Sequence, residues 1–101
     1  MGFLDFLTGN STNQLREYLQ KKAVILDVRT HSEYQSNNIE SAIHIPLNEL
    51  EYRVEEIKVL NKPVIVHCAS GMRSAKAASF LKSNGVDTIN GGGIAKLKSV
   101  L

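Results

Sequence analysis

Apolar positions along the chain follow two rhythms. Ala23-Val24-Ile25-Leu26 and Pro63-Val64-Ile65-Val66 are uninterrupted, β-branched-rich runs, which predict strands buried on both faces. Ala42-Ile43-His44-Ile45 predicts a shorter strand stopped by Pro46, and Val86-Asp87-Thr88-Ile89 a further one. Between these runs the pattern is amphipathic. Ser11 or Thr12 caps a first helix through Gln20. Thr30-x-x-Glu33 has the spacing of a capping box and opens a short helix. Asn48-x-x-Glu51 resembles a second one, and Leu50, Val54 and Ile57 share one helical face. Ser74 to Lys82 is Ala-rich and helix-forming. Asn84-Gly85 ends that helix, with Gly85 suited to a left-handed cap. Asn61-Lys62-Pro63 reads as a turn, and Gly91-Gly92-Gly93 as a tight turn into a last helix reaching Leu101. Alternating strands and helices predict an α/β domain with a mainly parallel central sheet flanked by helices. Ligands of such sheets sit outside the carboxyl ends of the strands. Leu26-Asp27-Val28-Arg29 and Val66-His67-Cys68 end at that rim.

Size and composition narrow the picture. With 101 residues there is room for one core, predicted over residues 11–101 behind an N-terminal arm, 1–10, that packs on the domain. Aromatic content is 6% against 43% hydrophobic, so the core is expected to be aliphatic. A formal net charge of +2 gives no reason to expect nucleic acid or a membrane surface as partner. No run approaches a membrane span, and Met1 to Leu7 lacks the basic start and long apolar centre of a signal peptide. Cys68 is the single cysteine. It excludes an internal disulfide and a cysteine-based zinc site from this chain alone, and a partnerless thiol suits a reducing, cytoplasmic compartment. No two of the three histidines have metal-ligand spacing, so no metal is expected. His31 reads as an exposed first-turn residue, and His44 as a strand residue at the core edge. His67 precedes the cysteine on its strand and is expected to face the other way, which argues against a Cys–His pair.

The chemistry lies in His67-Cys68-Ala69-Ser70-Gly71-Met72-Arg73-Ser74. A turn from a strand end into a helix start directs several backbone N–H groups at one point, and the helix end adds partial positive charge. A cysteine there is easily ionised; such settings bring its pKa from near 8.5 to roughly 3.5–7.5. Gly71 lets the loop curl back toward the sulfur. Arg73 is expected to bind loop carbonyls or an anion through its fixed fork. Asp27 and Arg29 read first as part of a structural ion network, Arg29 reaching Glu33, with a lesser expectation that they support the loop.

Cys68-x-x-Gly71-x-Arg73-Ser74 resembles the active-site loop of single-domain rhodaneses, the thiosulfate sulfurtransferase family. Leu26-Asp27-Val28-Arg29 with Glu33-Tyr34, Ser41-Ala42-Ile43-His44-Ile45-Pro46, and Gly85-Val86 with Asn90-Gly91-Gly92-Gly93 resemble three further segments of that family, in family order. Ser41 stands where the family often has Gly, Asn38-Ile39-Glu40 replaces its usual His-Ile-x, and no Trp follows the glycines, where Leu97 can fill the space. The resemblance implies a three-layer rhodanese-like fold. It also implies a Cys68 persulfide, formed from thiosulfate or a related donor and discharged to a thiol, cyanide or a protein cysteine, with no metal or organic cofactor. The N–H groups of Ala69, Ser70, Gly71, Met72 and Ser74 would cradle the sulfur, as in other electrostatic holes. A persulfide carrier or regulatory module is the alternative. Cysteine phosphatases and arsenate reductases use a loop one residue longer, and the shorter Cys-x4-Arg ring here better matches a single extra sulfur than a tetrahedral oxyanion.

Overall fold

The computed structural model describes residues 10–101, so nearly all of the expected N-terminal arm lies outside the described residues. Helix α1 (Thr12–Gln20) is opened by Ser11, whose hydroxyl accepts from the Gln14 N–H while the Gln14 side chain accepts from the Ser11 N–H. Strand β1 (Val24–Asp27) follows. Thr30 and Glu33 form the predicted capping box of α2 (His31–Ser36). Then come β2 (Ile43–His44), α3 (Leu47–Arg53), α4 (Glu55–Lys58), β3 (Val64–Cys68), α5 (Met72–Ser83), β4 (Thr88–Gly93) and α6 (Ile94–Lys98).

The strands form one parallel sheet in the order β2-β1-β3-β4. Its two central strands are the two apolar runs, covered by helices on both faces as such runs require. On one face Leu26, Val64 and Val66 pack with Leu50, Val54 and Ile57 of the α3–α4 segment and with Ala77, Ala78 and Leu81 of α5. On the other, Ile25, Ile65 and Ile89 pack with Leu15 of α1 and with Ile94 and Leu97 of α6. The result is three layers, helix–sheet–helix. Each large aliphatic side chain so buried contributes about 1.5–3 kcal/mol. Leu97 is fully buried, in keeping with the space-filling role expected of it.

Three local expectations are corrected. Asn48 does not cap: it lies inside α3, whose first turn begins behind Pro46 without a side-chain cap. Pro at this boundary already fixes the extended entry that a cap would otherwise stabilise. The last helix ends at Lys98 rather than Leu101. The triple glycine is not a tight turn but the end of β4. Val66 pairs with Asn90 and His67 with Gly92, which leaves Gly91 as an extra residue, a bulge of the kind that re-aims neighbouring side chains. Here glycine is required by space. A Cβ on Gly91 would lie 2.7 Å from Ile65 Cγ2, and one on Gly93 would lie 2.4 Å from the Ala69 carbonyl oxygen. The sheet thereby closes against the loop that follows β3.

Candidate active site

β3 ends on Cys68, and Gly71, at φ +110°, turns the chain into α5. That left-handed residue has no Cβ to clash, and it aims the loop back at the sulfur. Cys68 Sγ accepts the Gly71 N–H at 3.0 Å and the Ser74 N–H at 3.3 Å, with the Ser74 Oγ also 3.3 Å away. The thiol is 1% exposed. Burial pushes its pKa up, but the Ser74 hydroxyl and the N–H groups of Ser74, Gly71 and Ser70 outweigh this and hold it below the ordinary value. Met72, by contrast, is exposed at the mouth of the loop.

The Ser74 hydroxyl sits among three acceptors. It lies 2.6 Å from Asn90 Oδ1, 3.2 Å from the Gly71 carbonyl and 3.3 Å from the sulfur. Asn90 in turn donates its Nδ2 to the Gly71 carbonyl at 3.1 Å, and its Oδ1 accepts the Gly92 N–H at 2.9 Å. Sequence reasoning missed Asn90, because its part depends on the β4 bulge. The signal available was a polar side chain set between the end of a predicted strand and three glycines.

Arg73 departs from expectation. Its Nη1 and Nη2 donate to the two oxygens of Glu33 at 2.7 and 2.9 Å, a bidentate pair between α5 and α2. A carboxylate is a stronger acceptor for the fork than a loop carbonyl. Arg73 and the Thr30 N–H bring the Glu33 pKa down to about 2. Glu33 keeps the capping role its spacing predicts, and its pairing with Arg73 rather than Arg29 is the part that sequence spacing does not reveal.

Arg29 does not reach Glu33. Two residues after Asp27 on an extended chain, it lies on the same side and folds back. Its Nε and Nη2 contact the Asp27 carboxylate at 3.0 and 2.7 Å, its N–H donates to Asp27 Oδ1 at 2.9 Å, and Nη2 also donates to the Asn37 carbonyl. Both side chains are buried. Burial pushes Asp27 up, but the Arg29 side-chain and backbone donors hold it below the usual carboxylate range. Among the described residues the carboxylate's partners are Arg29 and, at 3.7 Å, His67 Nε2, and not the loop. His67 is fully buried on the sheet face opposite Cys68, as expected, and burial lowers its pKa. Its Nε2 has no hydrogen-bond partner. His44 is half-buried, stacks on Tyr34 and reaches the Arg29 carbonyl at 2.7 Å, while His31 is exposed and lies 3.6 Å from Glu49. A surface cleft lined by Lys58, Lys62, Pro63 and Gly85 opens at the amino ends of β3 and β4. It shares no residue with the thiol loop, which lies at the other end of the sheet. No helix among the described residues is long and apolar enough to cross a membrane.

Known proteins share this architecture. A family model described as the rhodanese-like domain matches residues 11–99. An uncharacterized protein of Bacillus subtilis, YqhL, is 39% identical over 69 residues, covering 68% of this chain and 54% of that one. The putative sulfur carrier protein YrkF of the same organism is 43% identical over 61 residues, or 60% and 32% of the two chains. The tRNA uridine(34) hydroxylase of Buchnera aphidicola is 33% identical over 89 residues, or 83% and 28%. The chain thus spans about half, or less, of these curated relatives. The solved rhodanese-like domain protein of Staphylococcus aureus superposes with a TM-score of 0.71 at 31% identity, over 85% of this chain and 86% of that one.

Proposed function

The chain belongs to the rhodanese-like domain family, and from that premise we propose that it is a sulfurtransferase working through a Cys68 persulfide. The observation that carries the reading is the convergence of the Gly71 and Ser74 N–H groups on the Cys68 sulfur. In the first half-reaction the Cys68 thiolate attacks the outer sulfur of thiosulfate or a related sulfane donor. The donor's S–S bond breaks, sulfite leaves with the electron pair, and Cys68 carries a persulfide anion. The same N–H groups then stabilise negative charge on the bound sulfur chain. In the second half-reaction cyanide, a thiol or a protein cysteine attacks the terminal sulfur and the Cys68 thiolate is regenerated. This is covalent, ping-pong catalysis that calls for neither metal nor organic cofactor.

Arg73 bears on the competing oxyanion chemistry. Its fork is occupied by Glu33, so its charge is neutralised at the position where a phosphatase would turn a cation toward its substrate. That, with the short Cys-x4-Arg spacing, favours sulfur over phosphate. A second reading, a persulfide carrier serving one protein partner, is favoured by the likeness to YrkF, named a putative sulfur carrier. In both readings Ala69, Ser70, Gly71, Met72 and Ser74 form the wall around the sulfur. Partners are sulfur donors and thiol or cyanide acceptors, and the single free thiol fits a reducing, cytoplasmic setting.

Intact-protein mass spectrometry after incubation with thiosulfate tests the proposal. The wild type should gain one sulfur and Cys68→Ser none. Sulfur retained by the serine variant would sink the assignment. Multiple turnover with cyanide separates an enzyme from a carrier.

A further inference from the structure

The hydrogen-bond polarity around Ser74 contains more than a cradle for the thiolate. The Asn90 carboxamide is fixed in orientation by backbone groups of fixed polarity. Gly92 N–H must meet its oxygen, and the Gly71 carbonyl must meet its nitrogen. The strand around it is pinned as well. Asn10 donates its N–H to the Asn90 carbonyl at 2.7 Å, and its Oδ1 accepts the Asn90 N–H at 3.1 Å. Oδ1 carries no hydrogen, so across the 2.6 Å contact Ser74 must be the donor. A hydroxyl has one proton. While that proton is given to Asn90, Ser74 faces the sulfur with a lone pair. That arrangement accepts an S–H and cannot donate to a thiolate.

We propose that Asn90 is a positioning residue which competes with the Cys68 sulfur for the single Ser74 hydroxyl proton, so that part of the stabilisation this hydroxyl can give the thiolate is withheld at rest and ionisation is coupled to a rotation of that hydroxyl. In the resting state Cys68 S–H donates to Ser74 Oγ and Ser74 O–H donates to Asn90 Oδ1. On ionisation the thiol proton passes to water. Ser74 swings its own proton from Asn90 to the sulfur anion, and Asn90 Oδ1 keeps the Gly92 N–H. No covalent bond other than S–H is broken. Full stabilisation of the thiolate thus waits on the hydroxyl rotation, and a persulfide anion would meet the same rotated hydroxyl. The inference rests on Cys68 being the reacting thiol, but its test reads ionisation directly and does not depend on sulfur transfer.

The charged and titratable groups near the loop are Arg73 on α5, Glu33 on α2 bound to it, and, across the sheet, Asp27 on β1, Arg29 just beyond its end and His67 on β3. None is altered in the test. The Cys68 pKa is measured from the pH dependence of iodoacetamide alkylation in the wild type, Asn90→Leu, Ser74→Ala and the double variant. Asn90→Leu also removes the donor to Gly71, but that carbonyl keeps the Ala75 N–H of α5 at 3.0 Å. Any remaining loosening is common to both backgrounds and cancels in the cycle. Freeing the Ser74 proton for sulfur should make the Asn90→Leu shift about 0.5–1 pH unit more downward with Ser74 present than in Ser74→Ala. Asn90→Asp, which keeps the acceptor and strengthens it, should show a Ser74-dependent shift of the opposite sign, and it serves if the leucine variant fails to fold. Equal shifts with and without Ser74 would overturn the proposal. Loss of persulfide formation in a protein whose cycle behaves as described would instead count against the sulfurtransferase reading alone.

Discussion

At the scale of single residues, the molecule separates reactivity from support by the two faces of one sheet. Cys68 and His67 are neighbours in sequence, yet strand alternation sends them to opposite sides. The Cys68 side is built of donors that favour an anion. The His67 side contains a buried ion pair, Asp27 with Arg29 at 2.7 Å, that never touches the loop. Arg29→Met should therefore destabilise the fold without altering the chemistry. Removing one partner leaves Asp27 buried and uncompensated, at a cost of about 3–5 kcal/mol. Urea unfolding measures that loss, and iodoacetamide alkylation of the folded variant should give an unchanged Cys68 pKa. A thiol pKa that moves with Arg29 would mean that the pair supports the loop after all. Much of this scale was legible in the sequence. Cys68, Gly71 and Ser74 were readable because a strand–loop–helix passage constrains where N–H groups point. The partners of Arg29 and Arg73 were not. Both arginines compete for carboxylates whose distances are set by tertiary packing: Glu33 is near Arg29 in sequence, yet it is Arg73, 40 residues away, that reaches it.

At the scale of elements, α2 and α5 are joined at the rim by the Glu33–Arg73 pair, while the Glu33 carboxylate also accepts the Thr30 N–H of its own capping box at 2.9 Å. One side chain thus starts a helix and fastens it to the reactive loop. Glu33→Gln can keep the cap but loses the ion pair. Both partners are about one-third exposed, so solvent screening limits the pair's worth to about 0.2–1 kcal/mol. The sign of its pH dependence follows from Glu33, whose pKa falls from 4.5 to about 2 in the folded protein. The unfolded chain takes up the proton first, so the contribution is present above about 4.5 and is lost as pH falls through about 2. The stability difference between wild type and Glu33→Gln, followed by urea unfolding, should be flat from pH 8 to 5 and close below that. A difference that instead grows on acidification would remove Glu33 from this role. The boundaries of the elements show what local pattern cannot carry. Glycine in a row reads as a turn when its backbone freedom is considered alone. In the fold Gly91 and Gly93 extend β4, because Ile65 and the Ala69 carbonyl come too close for any side chain.

At the scale of the whole molecule, the alternation of apolar runs and amphipathic segments was enough to specify a parallel sheet with a rim of chemistry. The strand order followed from tertiary pairing that no periodicity encodes. On the proposed reading, the single thiol of the chain decides how a persulfide would be discharged. Cys68 is its only cysteine and is buried at the base of the loop, so no second thiol of the chain can attack a persulfide and release it as a disulfide. Among the described residues the mouth offers no alternative nucleophile close to the sulfur: the side chains of Ala69, Ser70 and Met72 are small or uncharged, and the Ser74 hydroxyl is engaged with Asn90. On that reading discharge is left to an acceptor that enters from outside, past the exposed Met72. The persulfide made with thiosulfate should persist, by intact mass, after donor and small thiols are removed by gel filtration. It should disappear on addition of cyanide or a thiol, with double-reciprocal plots that remain parallel as donor concentration is varied. Spontaneous loss of the sulfur in acceptor-free buffer, or intersecting plots, would require a resolving group or a ternary complex, neither of which this site provides.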